Sequence, residues 1–185
     1  MANQRYLTNP LVSMPELIDE PALSRALVAF CLEMKVTALN LWIHRGFLNE
    51  FEVKFGKQDR LSMRAALYFA LMSRIIDVGI RPKEAAQHAL WGVSSSFNEG
   101  NNVFDVDENE VFYFIFSSKK YYRLFKVNTS ISEEDKSLTY LSKECGDPFI
   151  VVNLTAVFDK MLKDIHAKPN TVEKWRQYAE IFVDD

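Results

Sequence analysis

The chain has 185 residues, 48% of them apolar and 14 of them phenylalanine, with a formal net charge of −3. That length suits one ordinary domain or two small ones sharing a core, and the apolar content excludes a disordered chain. No apolar run approaches the roughly 20 residues needed to span a bilayer, no signal peptide is read in "MANQRYLTNPLVSMPELIDEP", and Cys31 and Cys145 form neither a redox nor a metal spacing. A cytoplasmic protein with reduced thiols is expected.

The charge is uneven. Residues 1–95 carry 11 Lys/Arg against 9 Asp/Glu, whereas residues 96–185 carry 11 against 16. Within 35–64 there are six basic residues against three acidic ones, so a local positive surface is expected in an acidic chain.

In chain order, Pro21 after Asp19 and Glu20, followed by Leu23, Leu27, Phe30 and Met34 at helical spacing, predicts an amphipathic helix over 21–34. A short second helix is predicted from an N-cap at Thr37 to a stop at Gly46, with Leu39, Trp42 and Ile43 as its apolar face. The tight connection between them forces a steep crossing. Phe51, Val53 and Phe55 alternate with Glu52 and Lys54 before Gly56-Lys57, which predicts a small hairpin over 49–61. Ser62 caps a helix over 62–78 ending at Gly79, and Pro82 opens a fourth that runs to about Trp91. Residues 92–110 read as an irregular connection. "VFYFIFSS", "YYRLFKV" and "PFIVVNL" read as three strands, "TAVFDKMLKDIHA" as an amphipathic helix and "NTVEKWRQYAEIF" as a last short helix. "VFYFIF" does not alternate, so both its faces are expected to be covered, one by the 155–167 helix, the other by the first half or by a second subunit.

Trp42-x-x-Arg45-Gly46-x-Leu48, then a basic hairpin, then Arg60-Leu61-Ser62 stepping into a capped helix that turns through Gly79 into the next, resembles the winged helix-turn-helix of MerR-type regulators. The resemblance covers roughly residues 20–92. It implies that the second helix reads a DNA major groove while the hairpin neutralises phosphates. Lys35, Thr37, Asn40, His44, Arg45, Lys54, Lys57, Arg60 and Arg64 are the expected DNA-binding residues, with Trp42 and Leu39 bracing the helix from behind. Arg64 falls in the first turn of its helix, where a cation is disfavoured unless an anion binds. The sequence departs from the family in two ways. Thr37 and Asn40 stand where basic residues are common, and a strand-rich half replaces the long dimer helix, so the family's dimer geometry and effector sensing do not carry over.

Enzyme signals are poor. His44, His88 and His166 lie in different elements, and no HExxH, glycine-rich phosphate loop or GxSxG occurs. The carboxylates of "DVDENE" lack the spacing of an EF-hand. The expectation is an α+β chain with a winged helix-turn-helix at 15–92 and a small three-stranded antiparallel sheet with one or two helices at 103–185. Its expected role is a DNA-binding transcriptional regulator without catalysis, metal or cofactor, acting on double-stranded DNA as a homodimer paired through 111–127 and the 155–167 helix, with no membrane partner. The alternatives are a mobile-element accessory DNA binder, excisionase-like or terminase-small-subunit-like, and a protein-interaction adaptor that has lost DNA.

Overall fold

Ser24, Ser62 and Asn153 start three helices in the same way. Each is extended, and its side-chain oxygen accepts a hydrogen bond from the backbone N–H three residues on: Leu27 at 3.2 Å, Ala65 at 3.2 Å and Ala156 at 2.9 Å. The computed structural model describes residues 18–48, 60–97, 110–117, 122–128 and 149–168. Residues 49–59 of the expected hairpin, with Lys54 and Lys57, lie outside the described residues, as do most of the irregular connection and the expected last helix. Among the described residues are five helices and two small antiparallel sheets, a mixed α+β architecture.

The first sheet is a two-residue pair, β1 (Leu23–Ser24) with β2 (Arg60–Leu61). Between them in sequence lie α1 (Arg25–Cys31) and α2 (Val36–His44), and after them α3 (Met63–Asp77) and α4 (Pro82–Ser95). The helix predicted over 21–34 is therefore shorter than its periodicity implies. Leu23 pairs with Leu61, the chain stays extended through Ser24, and Ser24 rather than Pro21 marks the start. The buried face is also rotated: Val28, Ala29 and Cys31 are buried, whereas Phe30 is 46% exposed, with the Lys168 ammonium 3.6 Å from its ring centroid. α2 begins at Val36, with Lys35 rather than Thr37 in the cap position. α3 follows its prediction closely. It is buried on nearly all sides from Met63 to Met72, the sign of a central core helix.

α4 runs to Ser95, four residues past the expected end. Gly92 does not stop it. A Cβ there would fall 2.6 Å from Leu71 Cδ2 and 3.2 Å from the Phe114 ring, so glycine lets α4 lie close to both neighbours.

The second sheet has the order β4-β3-β5, with β3 (Glu110–Ser117) between β4 (Tyr122–Asn128) and β5 (Phe149–Asn153), both antiparallel to it. α5 (Leu154–His166) follows β5 directly, and Thr155 Oγ1 in its first turn accepts from the Phe112 N–H at 2.9 Å. Phe112, Phe114 and Phe116 share one face with Tyr122, Leu124, Ile150 and Val152. This face joins α3, α4 and the apolar stripe of α5 (Leu154, Phe158, Met161, Leu162, Ile165) in one continuous core. The first half and α5 thus cover the same face of the sheet, not opposite faces. The other face has its own small cluster, with fully buried Ile115 among Tyr113, Phe125 and Phe149.

Candidate nucleic-acid interface

α1 and α2 meet at 110° across the four residues Leu32–Lys35. The turn depends on Glu33, whose φ of 54° lies in the left-handed region that side chains seldom adopt. Glu33 N–H donates to Phe30 O at 2.9 Å and Met34 N–H to Ala29 O at 3.0 Å, which closes the end of α1. The Glu33 carboxylate pairs with Lys160 of α5 at 3.0 Å, and Lys160 also bonds Asp164 at 2.7 Å. Lys160's hydrogen bond holds the Glu33 carboxyl below its usual range, and the bonds it donates to Asp164 and Glu33 raise the Lys160 ammonium above its own. α5 is thereby tied to the corner.

Behind α2, Leu39 is fully buried and Trp42 stacks on Phe69, with centroids 5.9 Å apart and planes at 29°. Gly46, at φ 77°, ends the helix. The inner side is fixed by packing, and the outer side is open. Lys35, Thr37, His44 and Arg45 are exposed, Val36 is 39% exposed and Leu41 48%. Residues 37, 40, 41 and 44 recur at helical spacing and share this side. Asn40 is half-buried, and its Oδ1 accepts from Arg25 Nη1 of α1 at 3.1 Å.

Five of the expected site residues, Lys35, Thr37, Asn40, His44 and Arg45, are therefore brought together. The other two in described regions are engaged inside the chain. Arg60 donates to Ala22 O at 3.0 Å and secures the β1–β2 pair against the start of α1. Arg64 holds Asp19 with two bonds, Nε to Oδ1 at 2.6 Å and Nη2 to Oδ2 at 3.0 Å, and its guanidinium lies 5.0 Å from the Phe97 ring centroid. The misfit of a cation at the start of α3 has an anion within the chain as its answer.

A groove of about 570 Å³ runs beside the end of α2, lined by Arg45, Phe47, Tyr68, Arg81, Lys83 and Gln87 among others, with no acidic residue among the described residues of its wall. Arg81 and Lys83 flank the first residue of α4, whose unpaired N–H groups and dipole favour anions. These two cations were not among the expected residues. Their signal is the Arg-Pro-Lys run at a helix start, visible only once the corner places it beside Arg45.

The buried Cys31 thiol is pushed up to about 12, first by burial and then by Asp164, so it carries no thiolate near neutral pH. No cluster of three or more His, Cys, Asp or Glu suited to a metal occurs among the described residues, and no single helix among them is long and apolar enough to cross a membrane. No family model, no curated protein and no solved structure matches this chain.

Proposed function

We propose that the chain is a DNA-binding transcriptional regulator whose α1–α2 corner is a MerR-like helix-turn-helix, with α2 entering the major groove. The observation that carries this reading is the corner itself: two short helices at 110°, the second braced by Leu39 and Trp42 and open along Thr37, Leu41 and His44. A groove-entering helix needs this combination of a fixed inner side and a bare outer one. The β1–β2 pair adds support, because it anchors the second strand of the expected wing to the start of α1. Arg45, Arg81 and Lys83 supply cations where a flanking phosphate backbone would pass.

The chain is read as cytoplasmic and as acting in pairs, since specific readers usually double a module of this size. The stripe of α5 and the inner face of the sheet are used within the chain, and Ile115 and Ser117 on the other face are buried too, so a second copy is left the exposed Val151 with the half-buried Tyr113, Phe125 and Phe149. The adaptor reading draws on one observation, the exposure of Val36 and Leu41 on α2. Binding to a pooled random-sequence duplex across a salt series separates the two. A DNA binder loses affinity steeply with salt, and Arg45→Ala with Arg81→Ala and Lys83→Ala flattens the log–log slope by roughly two to three units. An absence of salt-dependent binding overturns the DNA reading and favours the adaptor.

A further inference from the structure

Resting on that reading, we infer that Leu41 reads thymine, seating its side chain against the C5 methyl group in the major groove. Leu41 is 48% exposed and lies between Thr37 and His44, four and three residues away, at the middle of the open side of α2. Thymine is the only base with an apolar group on its major-groove edge. Pressed against the N7, O6 or N4 of a G·C pair, a leucine would strip water from polar atoms and give them no partner, so it disfavours G·C as well as favouring thymine.

The neighbouring polar residue does not take over this task. A guanidinium only donates, so the atom of Asn40 facing Arg25 at 3.1 Å is its amide oxygen. That bond turns the amide oxygen toward α1, and the two-bond recognition of adenine, which needs the oxygen and the NH₂ group to face the groove together, would require Asn40 to leave Arg25. Thr37 and His44 each contribute single hydrogen bonds that several bases satisfy. Discrimination on this helix therefore rests on shape and apolar contact at position 41.

The test begins with the duplexes that the full-length chain most enriches from a random pool. Each is made again with deoxyuridine at every thymidine position, which removes the methyl and leaves the hydrogen-bonding pattern intact. Binding of the uridine duplex should be weaker by about fourfold for each methyl contacted (~0.8 kcal/mol). Leu41→Ala, at an exposed position, should keep the melting temperature and the salt slope while losing the gap between the two duplexes. Equal binding of the two duplexes by the wild-type chain, or a gap that survives in Leu41→Ala, overturns the inference and leaves DNA binding intact. A chain that retains no DNA in a salt-dependent manner overturns the DNA reading itself, and this inference with it.

Discussion

α2 and β3 are close in length and composition: six of nine residues are apolar in the helix, and six of eight in the strand. Yet α2 buries only Leu39 completely, whereas β3 buries Phe112, Phe114, Ile115 and Phe116. The difference comes from position. β3 is the central strand, bonded on both edges, with α4 and α5 over one face and an aromatic cluster on the other. α2 lies at the end of a steep corner, where only one stripe can reach α3. One region packs and the other presents, and the shared core through α3 and α4 makes the first a brace for the second. Charge follows the same division, since the basic groove adjoins α2 and the acidic balance lies in the second half.

The strongest way to break this comparison is to remove its centre. Phe114 is fully buried, with Trp91 at 5.8 Å, Phe116 at 5.3 Å and Gly92 directly beneath it. Phe114→Ala should cost about 3–5 kcal/mol, typical of a large aromatic truncation in a core. Helix content and tryptophan fluorescence should be lost in one coincident urea transition. Two separated transitions would mean that α1–α4 stand without the sheet, and the brace would lose its meaning.

The next test acts on the joint from the other side. Gly92→Val forces a branched side chain into a gap where even a Cβ meets Leu71 at 2.6 Å. About 1–3 kcal/mol of destabilisation is expected from such overpacking. Ser94→Val, which adds a branched side chain at an exposed position of the same helix, serves as the control. A Gly92→Val chain that melts like the wild type would show that α4 can pull away from β3 freely.

These joints also mark where the sequence is silent. α3 is legible because all its signals are local: the Ser62 cap, Leu67, Leu71 and Ile75 at helical spacing, and Gly79 just past its end. The shared side of Thr37, Asn40 and His44 follows from spacing alone. α1 is misjudged because Leu23 belongs to a strand whose partner, Leu61, lies far along the chain. Phe30 looks like core until Lys168, from the opposite end of the described chain, is placed over its ring. The end of α4 is placed too early, at about Trp91, because the reason for glycine at 92 is Phe114, far along the chain. The Arg64–Asp19 pair spans 45 positions and the Arg25–Asn40 bond 15, so no local pattern shows which cations and amides are already engaged.

A finer probe of the seam is pH. His88 of α4 is 4% exposed and stacks on Phe116 of β3, with centroids 4.2 Å apart. Tyr122 of β4 lies at 5.4 Å, Glu84 Oε1 sits 3.7 Å from its Nε2, and its buried Nδ1 has no hydrogen-bond partner. Burial lowers its pKa below 6.5, and Glu84 only partly opposes this. As pH falls through 6.5, the unfolded chain takes up a proton that the folded chain refuses. The stability held above 6.5 is therefore lost on going down toward the depressed value. His88→Phe should flatten this dependence relative to the wild type between about pH 7.5 and pH 5, measured as urea midpoints, with carboxylate contributions common to both chains cancelling. Parallel pH profiles for the two chains would exclude His88 as a titrating element of the seam.

The smallest effect concerns Arg64, one of the two candidate cations that lie on the packing side of the comparison. Arg64 is bonded twice to Asp19, but the pair is 24% and 57% exposed, so water and salt screen it. Arg64→Ala should cost only about 0.2–1 kcal/mol, even with the loss of its contact over Phe97, whose ring meets Phe158 of α5 edge-on at 6.0 Å. The sharper measurement is the salt dependence of DNA binding in Asp19→Asn, which weakens the hold on Arg64 and leaves the arginine in place. If Arg64 belongs to the brace, Asp19→Asn changes neither the slope nor the affinity beyond the small, sequence-independent gain that follows from removing one distant negative charge. If Arg64 instead reaches a phosphate when DNA is bound, it must first leave Asp19. Asp19→Asn would then tighten binding to every sequence, and Arg64→Ala would flatten the slope by nearly one unit. That outcome would move the start of α3 from the region that packs to the region that presents, and Asp19 would become an anion that competes with DNA for the same guanidinium.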